Sequence, residues 1–559
     1  MSEELDFKKQ YKYEVEVSED VLGSLGSGTL WFGAGSTPHI TFNVFSNYGL
    51  LLENELHRAL KAKTASGICI TLFNCKRIEF RVGWDLLVAG DVGSSFKGFE
   101  IRYSDISEWF MPWQQLDGNV GETISWVNPT KHISANIRAN NEEYSLTTKS
   151  ETSIKRLGED HVLHEHILFC FEHLSGSFPP EQIQTKSIEL LRLLSILIAY
   201  PISITSITVI CEKGIAHGAF FPTYKHVERD DADTNFSHKC FIRQQVIYDR
   251  WETILNQYFN SSYHEVTWTR LAGMQRYEGF WEYRALGYVA LLDKYVDQRY
   301  RESKGKKKVF VQVDKRKATQ FDCEMEFVEP PLQSTQRDQI KTILNKIFSY
   351  KPNLDFGEKY LREISASDKD TIKIVNISDA DFKIIKTVRN KIAHGEAFDL
   401  PESDLGRVGI IVDKIVLLMT YWAFLDFGLT NEDFLLSLRS THNNLRLQAQ
   451  LDTKHIDRMM NPESFFSVSK NEFDKLSEIK SIKLYAVFTQ SASGLIKYSE
   501  KYSEAYQNWM KNEALTSKVT PHSDIFGVAK ERLSYLNTAY IECGVECLAL
   551  SCTWIIKDI

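Results

Sequence analysis

S-D-A-D-F-K-I-I-K-T-V-R-N-K-I-A-H-G, residues 378–395, carries both a start and a stop signal for one helix. Ser378 is a good N-cap, and Asp381 three residues later makes a capping-box-like start. Phe382, Ile385, Val388 and Ile392 recur at helical spacing as one apolar stripe, which Ile384 widens. Gly395 stands where a helix wants a residue with left-handed backbone. The reading is a helix from Asp379 to His394 with one buried face.

Working outward, the neighbourhood is helical too. From about residue 226 to 435 long helical periods dominate: WTRLAGMQRYEGFWEYRALGYVALLDKYVDQRYRES, QRDQIKTILNKIFSY and LGRVGIIVDKIVLLMTYWAFLDFGL, besides the stretch above. Helices joined by loops predict an up-and-down bundle. Residues 1–225 have another character. KYEVEV, GTLWFG, HITFNVF, GICITLFNC, RIEFRVGWDLLVAG and FEIRYSDI are short runs rich in β-branched and aromatic residues, punctuated by Gly, Asn, Ser and Asp. They predict an antiparallel sheet or sandwich. HVLHEHILFCFEHL reads as a further strand, followed by a helix from about Glu181 to Tyr200 that Pro201 stops, and SITSITVICE as another strand. Residues 436–559 read as a smaller, mostly helical third region, with KLYAVFTQ as a strand and helices from there to the C-terminus. The expected fold class is multidomain α+β, with divisions at 1–225, 226–435 and 436–559.

The whole chain fits this plan. Its 559 residues are too many for one core. It is 43% hydrophobic and 25% charged, an ordinary globular mixture. The net charge of −8 is not that of a dedicated nucleic-acid coat, so any nucleic-acid role requires a local basic patch. MSEELDFKKQ is polar and shows no signal-peptide h-region. Ile188–Tyr200 is too short to span a bilayer, and Val408–Leu429 contains Asp413, Lys414 and Asp426, so both read as core helices. Nine scattered cysteines without a CxxC pair fit reduced thiols in a cytoplasm. Cys543, Cys547 and Cys552 read as small hydrophobes on an apolar run.

The last turn of the 379–394 helix spends Arg389, Asn390, Lys391 and His394 on polar positions. Asn390 and His394 are i and i+4 and share a face with Lys383 and Thr387. Arg389 lies at the flank of the apolar stripe, roughly 140° from His394 on an ideal wheel. One straight helix therefore aims them apart: either the last turn bends, or two copies of the helix meet at a dyad. A histidine at a helix C-terminus feels the negative end of the dipole, which favours imidazolium and suits proton transfer. An arginine offers a planar fork for phosphate. Carboxylates are not clustered around the stretch, so a two-metal site is not indicated. As a bare pattern these residues also suit a solvated helix end.

The run Arg389-Asn390-Lys391-Ile392-Ala393-His394, ending a helix within a bundle, resembles the R-x4-6-H motif of HEPN ribonucleases. The layout as a whole, a β-rich region with GTLWFG near its start and then this bundle, resembles the ApeA-like branch over roughly residues 10–430. The resemblance implies metal-independent and cofactor-free endoribonuclease activity, in homodimers or larger assemblies whose Arg and His side chains line a shared cleft. Arg389 would hold the scissile phosphate, His394 would act as acid or base on the 2′-hydroxyl or the leaving 5′-oxygen, and Asn390 would orient one of them. It also implies cytoplasmic antiphage defence by abortive infection, with RNA, tRNA in particular, as substrate, a phage-derived trigger, and no membrane. The β-rich region would sense the trigger. The alternative is a ligand-sensing scaffold protein whose bundle only dimerises.

Other features are weighed more plainly. Lys391 and the basic run around Lys306, Lys307 and Lys308, within S-K-G-K-K-K-V-F-V-Q-V-D-K-R-K (303–317), are candidate RNA-backbone contacts; the run reads equally well as a solvated hairpin. His161, His164 and His166 in H-V-L-H-E-H read as a polar strand face, since 164 and 166 share a side and 161 points away. Glu228–Asp233 reads as an acidic linker. Trp31, Trp84, Trp109, Trp113 and Trp126 read mostly as core or sheet-packing residues.

Overall fold

Alternation builds the first hairpin. In β1 (Gln10–Glu19), Val15 and Val17 are buried while Glu14 and Glu16, on either side of Val15, are exposed, so one face of the strand is apolar. β1 pairs antiparallel with β2 (Gly23–Gly33), with Gln10 opposite Gly33. The glycines that bracket G-T-L-W-F-G have a steric reason: a Cβ on Gly28 would strike the Thr41 carbonyl, and one on Gly33 the Lys9 carbonyl. The structure is a computed structural model and describes residues 5–557, apart from 36, 46–58, 79–80, 112–115, 120–122, 128, 140–141, 229–235, 304–323, 326, 329, 348–353, 396–401, 480–481, 493, 513–520 and 545. The basic run with Lys306, Lys307 and Lys308, Trp113, and all of the acidic stretch but Glu228 lie outside the described residues.

The chain forms two compact units, Met1–Leu451 and Asp452–Ile559. The divisions expected at 225 and 435 both lie within the first unit. In the first unit fourteen strands among the described residues join one sheet. Strand β3 (Phe96–Tyr103) lies within it, and β4 (Ser134–Ala139) is one of its edges. β5 (Glu142–Leu157) and β6 (Asp160–His173) form a long hairpin, in register from Tyr144 opposite His173 to Leu157 opposite Asp160. β4 pairs with β5 only as far as Thr147, and β3 reaches β6 only from Leu168 onward. The rest of the hairpin is a two-stranded arm, on which His164 and His166 stack at 6.0 Å. Trp84 and Trp109 are core residues as expected, whereas Trp31 is 38% exposed.

Helix α1 (Pro180–Ile198) packs against β3, and Tyr103 donates a hydrogen bond to the Ser187 carbonyl. Helix α2 (Trp251–Asn260) covers the β4 edge. Asn256 accepts from the Arg138 amide and donates to the Asn136 carbonyl, and Asn260, one turn on, donates to the Arg138 carbonyl. Two asparagine side chains thus take up three outward backbone groups of an edge strand that would otherwise invite another strand.

Four further helices carry the region of interest. α3 (Trp281–Ser303) packs against α4 (Phe356–Ala366), α5 (Asp379–His394) and α6 (Glu402–Asp426). Within α6, Gly406–Asp426 is long and apolar enough to cross a membrane, but 83% of its most apolar window is buried inside the protein. Its polar residues are matched there: Asp413 pairs with Arg284 at 2.7 Å, Lys414 donates to the Asn376 carbonyl, and Asp426 accepts from Ser261 and Trp268.

The second unit departs from the expected helical region. It holds a five-stranded sheet ordered β7 (Phe465–Ser467), β10 (Leu533–Cys543), β11 (Glu546–Lys557), β8 (Val487–Gln490) and β9 (Ile496–Tyr498). KLYAVFTQ contains β8 as expected. The C-terminal run expected as helix is the β10–β11 hairpin, turned at Gly544 with φ 62°. Helix α7 (Lys470–Glu478) packs Phe473 and Leu476 on one sheet face with Phe488, Ile541 and Leu550. Helix α8 (Glu500–Asn512) places Tyr506 on the other face with Val487 and Ile556. None of the eight described cysteines forms a disulfide.

Candidate active site

α5 spans the expected residues. Ser378 and Asp381 close a reciprocal capping box, and Arg407 of α6 pairs with Asp381 at 2.8 Å. These contacts, with burial opposing them, hold the Asp381 carboxyl below its usual range. Ile385 and Val388 are buried, and Phe382 stacks on Tyr360 of α4 with ring centres 4.2 Å apart. Gly395 has φ 67°, and its amide donates to the Ile392 and Lys391 carbonyls. One end of the helix is clamped by the cap and the stack. The other delivers the polar turn.

That turn separates its functional groups. Arg389 reaches back to α3, where one guanidinium nitrogen donates to Asp293 at 2.8 Å, and another donates to the Asn390 side-chain oxygen at 3.2 Å. Burial pushes the Asp293 carboxyl up, against the pull of Arg389 and then Lys359. One turn along α3, Asp297 pairs with Lys359 at 2.7 Å and with Arg301; these outweigh its burial and hold its carboxyl low. Asn390 and His394 are exposed and Lys391 is half-buried. His394 has no hydrogen-bond or ion-pair partner among the described residues. A single copy therefore brings Arg389 and Asn390 together but leaves His394 apart on the open end. No bend of the last turn unites them.

Chemically, this leaves a guanidinium already shared with one carboxylate and one amide, and an imidazole open to solvent. Asp293 was not legible as its partner in the sequence. The available signal was the i, i+4 pair Asp293 and Asp297 on an otherwise apolar-striped helix.

A second polar group lies deep in the same unit. Burial drives the Glu189 carboxyl up to about 7, against Lys186 and Arg192. His264, on a π-helical turn (His264–Trp268), stands 3.7 Å from it, and burial lowers that imidazole, followed by the charge of Arg192. Around them Tyr144 Oη and Thr267 Oγ1 are buried with no hydrogen-bond partner among the described residues. Lys186 sits over the Tyr144 ring and pairs with Glu142 at 3.0 Å.

Residues 28–258 match the family model of ApeA N-terminal domain 1. The match runs from the first glycine of G-T-L-W-F-G through most of α2, so it takes in most of the sheet, without β1 and the start of β2, and most of the helix that caps the β4 edge. Over these residues the chain is ApeA-like. Its N-terminal domain places it with an antiphage defence family. No curated protein and no solved structure matches it.

Proposed function

We propose that the chain is a HEPN-type endoribonuclease of antiphage defence, acting in the cytoplasm on RNA, tRNA in particular, to abort infection after a phage-derived trigger. The observation that carries this is R-x4-H at the end of a capped helix, downstream of an ApeA N-terminal domain, with His394 exposed and uncommitted. In the reaction a 2′-oxygen attacks the adjacent phosphorus, the bond to the 5′-oxygen breaks, and a cyclic phosphate is left. Arg389 holds the phosphate oxygens; a neutral His394 takes the 2′ proton, or its imidazolium gives one to the 5′-oxygen. Asn390, bonded to Arg389, orients the guanidinium. Because Arg389 and His394 of one copy diverge, the working site takes Arg389 from one protomer and His394 from its partner in a homodimer. Lys391 adds positive charge for the RNA backbone, and so do Lys306, Lys307 and Lys308.

The test is RNA integrity with EDTA present. The parent should leave cyclic-phosphate ends, and Arg389→Ala and His394→Ala should each lower cleavage by about 100-fold or more. Variants that cleave like the parent would remove these residues from the site. A second reading rests on the Arg389–Asp293 ion pair: the arginine only locks α5 to α3, and the chain is a ligand-sensing scaffold. In that case His394→Ala changes nothing, and no RNA is cut under any trigger.

A further inference from the structure

The second unit carries a groove of about 480 Å³ at the β9 end of its sheet. Its walls come from both faces: Leu476 and Ile479 on the α7 side, Glu500 and Glu504 of α8 on the other, with Ile496 and Tyr498 of β9 between them. β9 is an edge strand among the described residues. Its register shows which backbone groups are open. Ser491 donates to the Leu495 carbonyl and Ser499 to the Val487 carbonyl, and Thr489 faces Lys497 between these two pairs. In an antiparallel pair, bonded and non-bonded positions alternate. The bonded positions on this strand are thus 495, 497 and 499. The N–H and C=O groups of Ile496 and Tyr498 point away from β8, into the groove.

Side-chain chemistry differs between the two walls. Ile496 and Tyr498 share a face and pack with Phe488, next to Leu476 and Ile479. Lys497 points to the opposite side, toward α8. There Glu500 and Glu504, one turn apart and both exposed, make no ion pair or hydrogen bond through their carboxylates among the described residues. The α7 side also carries Glu472 and Lys475. A segment lying along β9 would meet Leu476 and Ile479 at alternate residues, and the carboxylates of Glu500 and Glu504 beside Lys497 at the residues between.

We propose that this groove binds an extended peptide segment of a partner protein by strand addition to β9, with apolar residues facing α7 and basic residues facing Glu500 and Glu504. Main-chain bonds to Ile496 and Tyr498 supply affinity. The two walls supply selectivity.

The test uses the full chain and a fluorescein-labelled probe, acetyl-Lys-Val-Lys-Val-Lys-Val-amide, read by polarisation. The probe should bind saturably. Glu500→Lys with Glu504→Lys, on the exposed side of α8, should weaken it by about tenfold with unchanged thermal unfolding. N-methylation of alternate probe amides should weaken it by about tenfold with the native protein, because the ladder is lost while the side chains remain. A probe with Glu in place of Lys should fail to bind. The proposal is overturned if the probe does not bind, if the N-methylated or acidic probe binds like the parent, or if the chain self-associates in sedimentation and the probe reverses it, which would give the groove to a second copy.

Discussion

At the residue scale, Glu189 is the side chain whose protonation is most clearly tied to folding. Its carboxyl titrates at about 7 in the folded protein, against an ordinary 4.5. The folded state thus holds this proton more tightly than the unfolded chain. The resulting stabilisation is complete below about pH 4.5 and is lost as pH rises through about 7. Neutral Gln has the same shape without the charge. Glu189→Gln should therefore be close to neutral at pH 4.5 and more stable than the parent by up to about 3 kcal/mol at pH 8. His264 opposes this in the parent: its lowered imidazole contributes stability present above its ordinary 6.5 and lost below. Urea unfolding of both proteins across that range checks the prediction. A gap that does not change with pH would mean that Glu189 is not held up. The sequence offered no hint of this cluster. I-E-L-L-R-L-L reads as an ordinary amphipathic turn, and His264, which faces Glu189, comes from 75 residues away.

At the element scale, legibility followed locality. The bounds of α5 could be read because its box, stripe and terminal glycine all act within one turn of the residues that specify them. The divergence of Arg389 and His394 followed from the helical angle alone. What Arg389 touches did not follow, because Asp293 is 96 residues away. The C-terminal hairpin failed for a related reason. I-E-C-G-V-E-C-L-A-L-S-C-T-W-I-I-K is apolar nearly throughout, and such a run does not distinguish a buried strand from a buried helix by period; partners from β7 and β8 decide it. The cap of α5 gives a local test. Gly395 has φ 67° and open space where a Cβ would stand, so Gly395→Ala is penalised by backbone conformation and not by a clash. It should destabilise by about 1 kcal/mol, and Gly395→Asn by less, since Asn tolerates the left-handed region. Thermal unfolding of the two variants checks the order. If Ala and Asn cost the same, the left-handed cap is not what ends the helix.

At the scale of the whole molecule, the question is how a chain that sets its arginine and histidine apart could assemble a nuclease. In the proposed homodimer each site draws Arg389 from one protomer and His394 from the other. This has a consequence for mixtures. Arg389→Ala protein keeps His394, and His394→Ala protein keeps Arg389, so a mixed dimer contains one intact site and one doubly damaged site. With equal amounts and free exchange, half the dimers are mixed and half of their sites work, so about one quarter of parental cleavage should return from two inactive preparations. If the two side chains served the same site from one copy, every site would lack one of them and nothing would return. The mixture should therefore be left to exchange at low protein concentration before RNA is added and its cleavage followed over time. Recovery would also separate catalysis from the scaffold reading, because an ion pair that merely locks α5 to α3 is broken in every Arg389→Ala chain and cannot be restored by a neighbour.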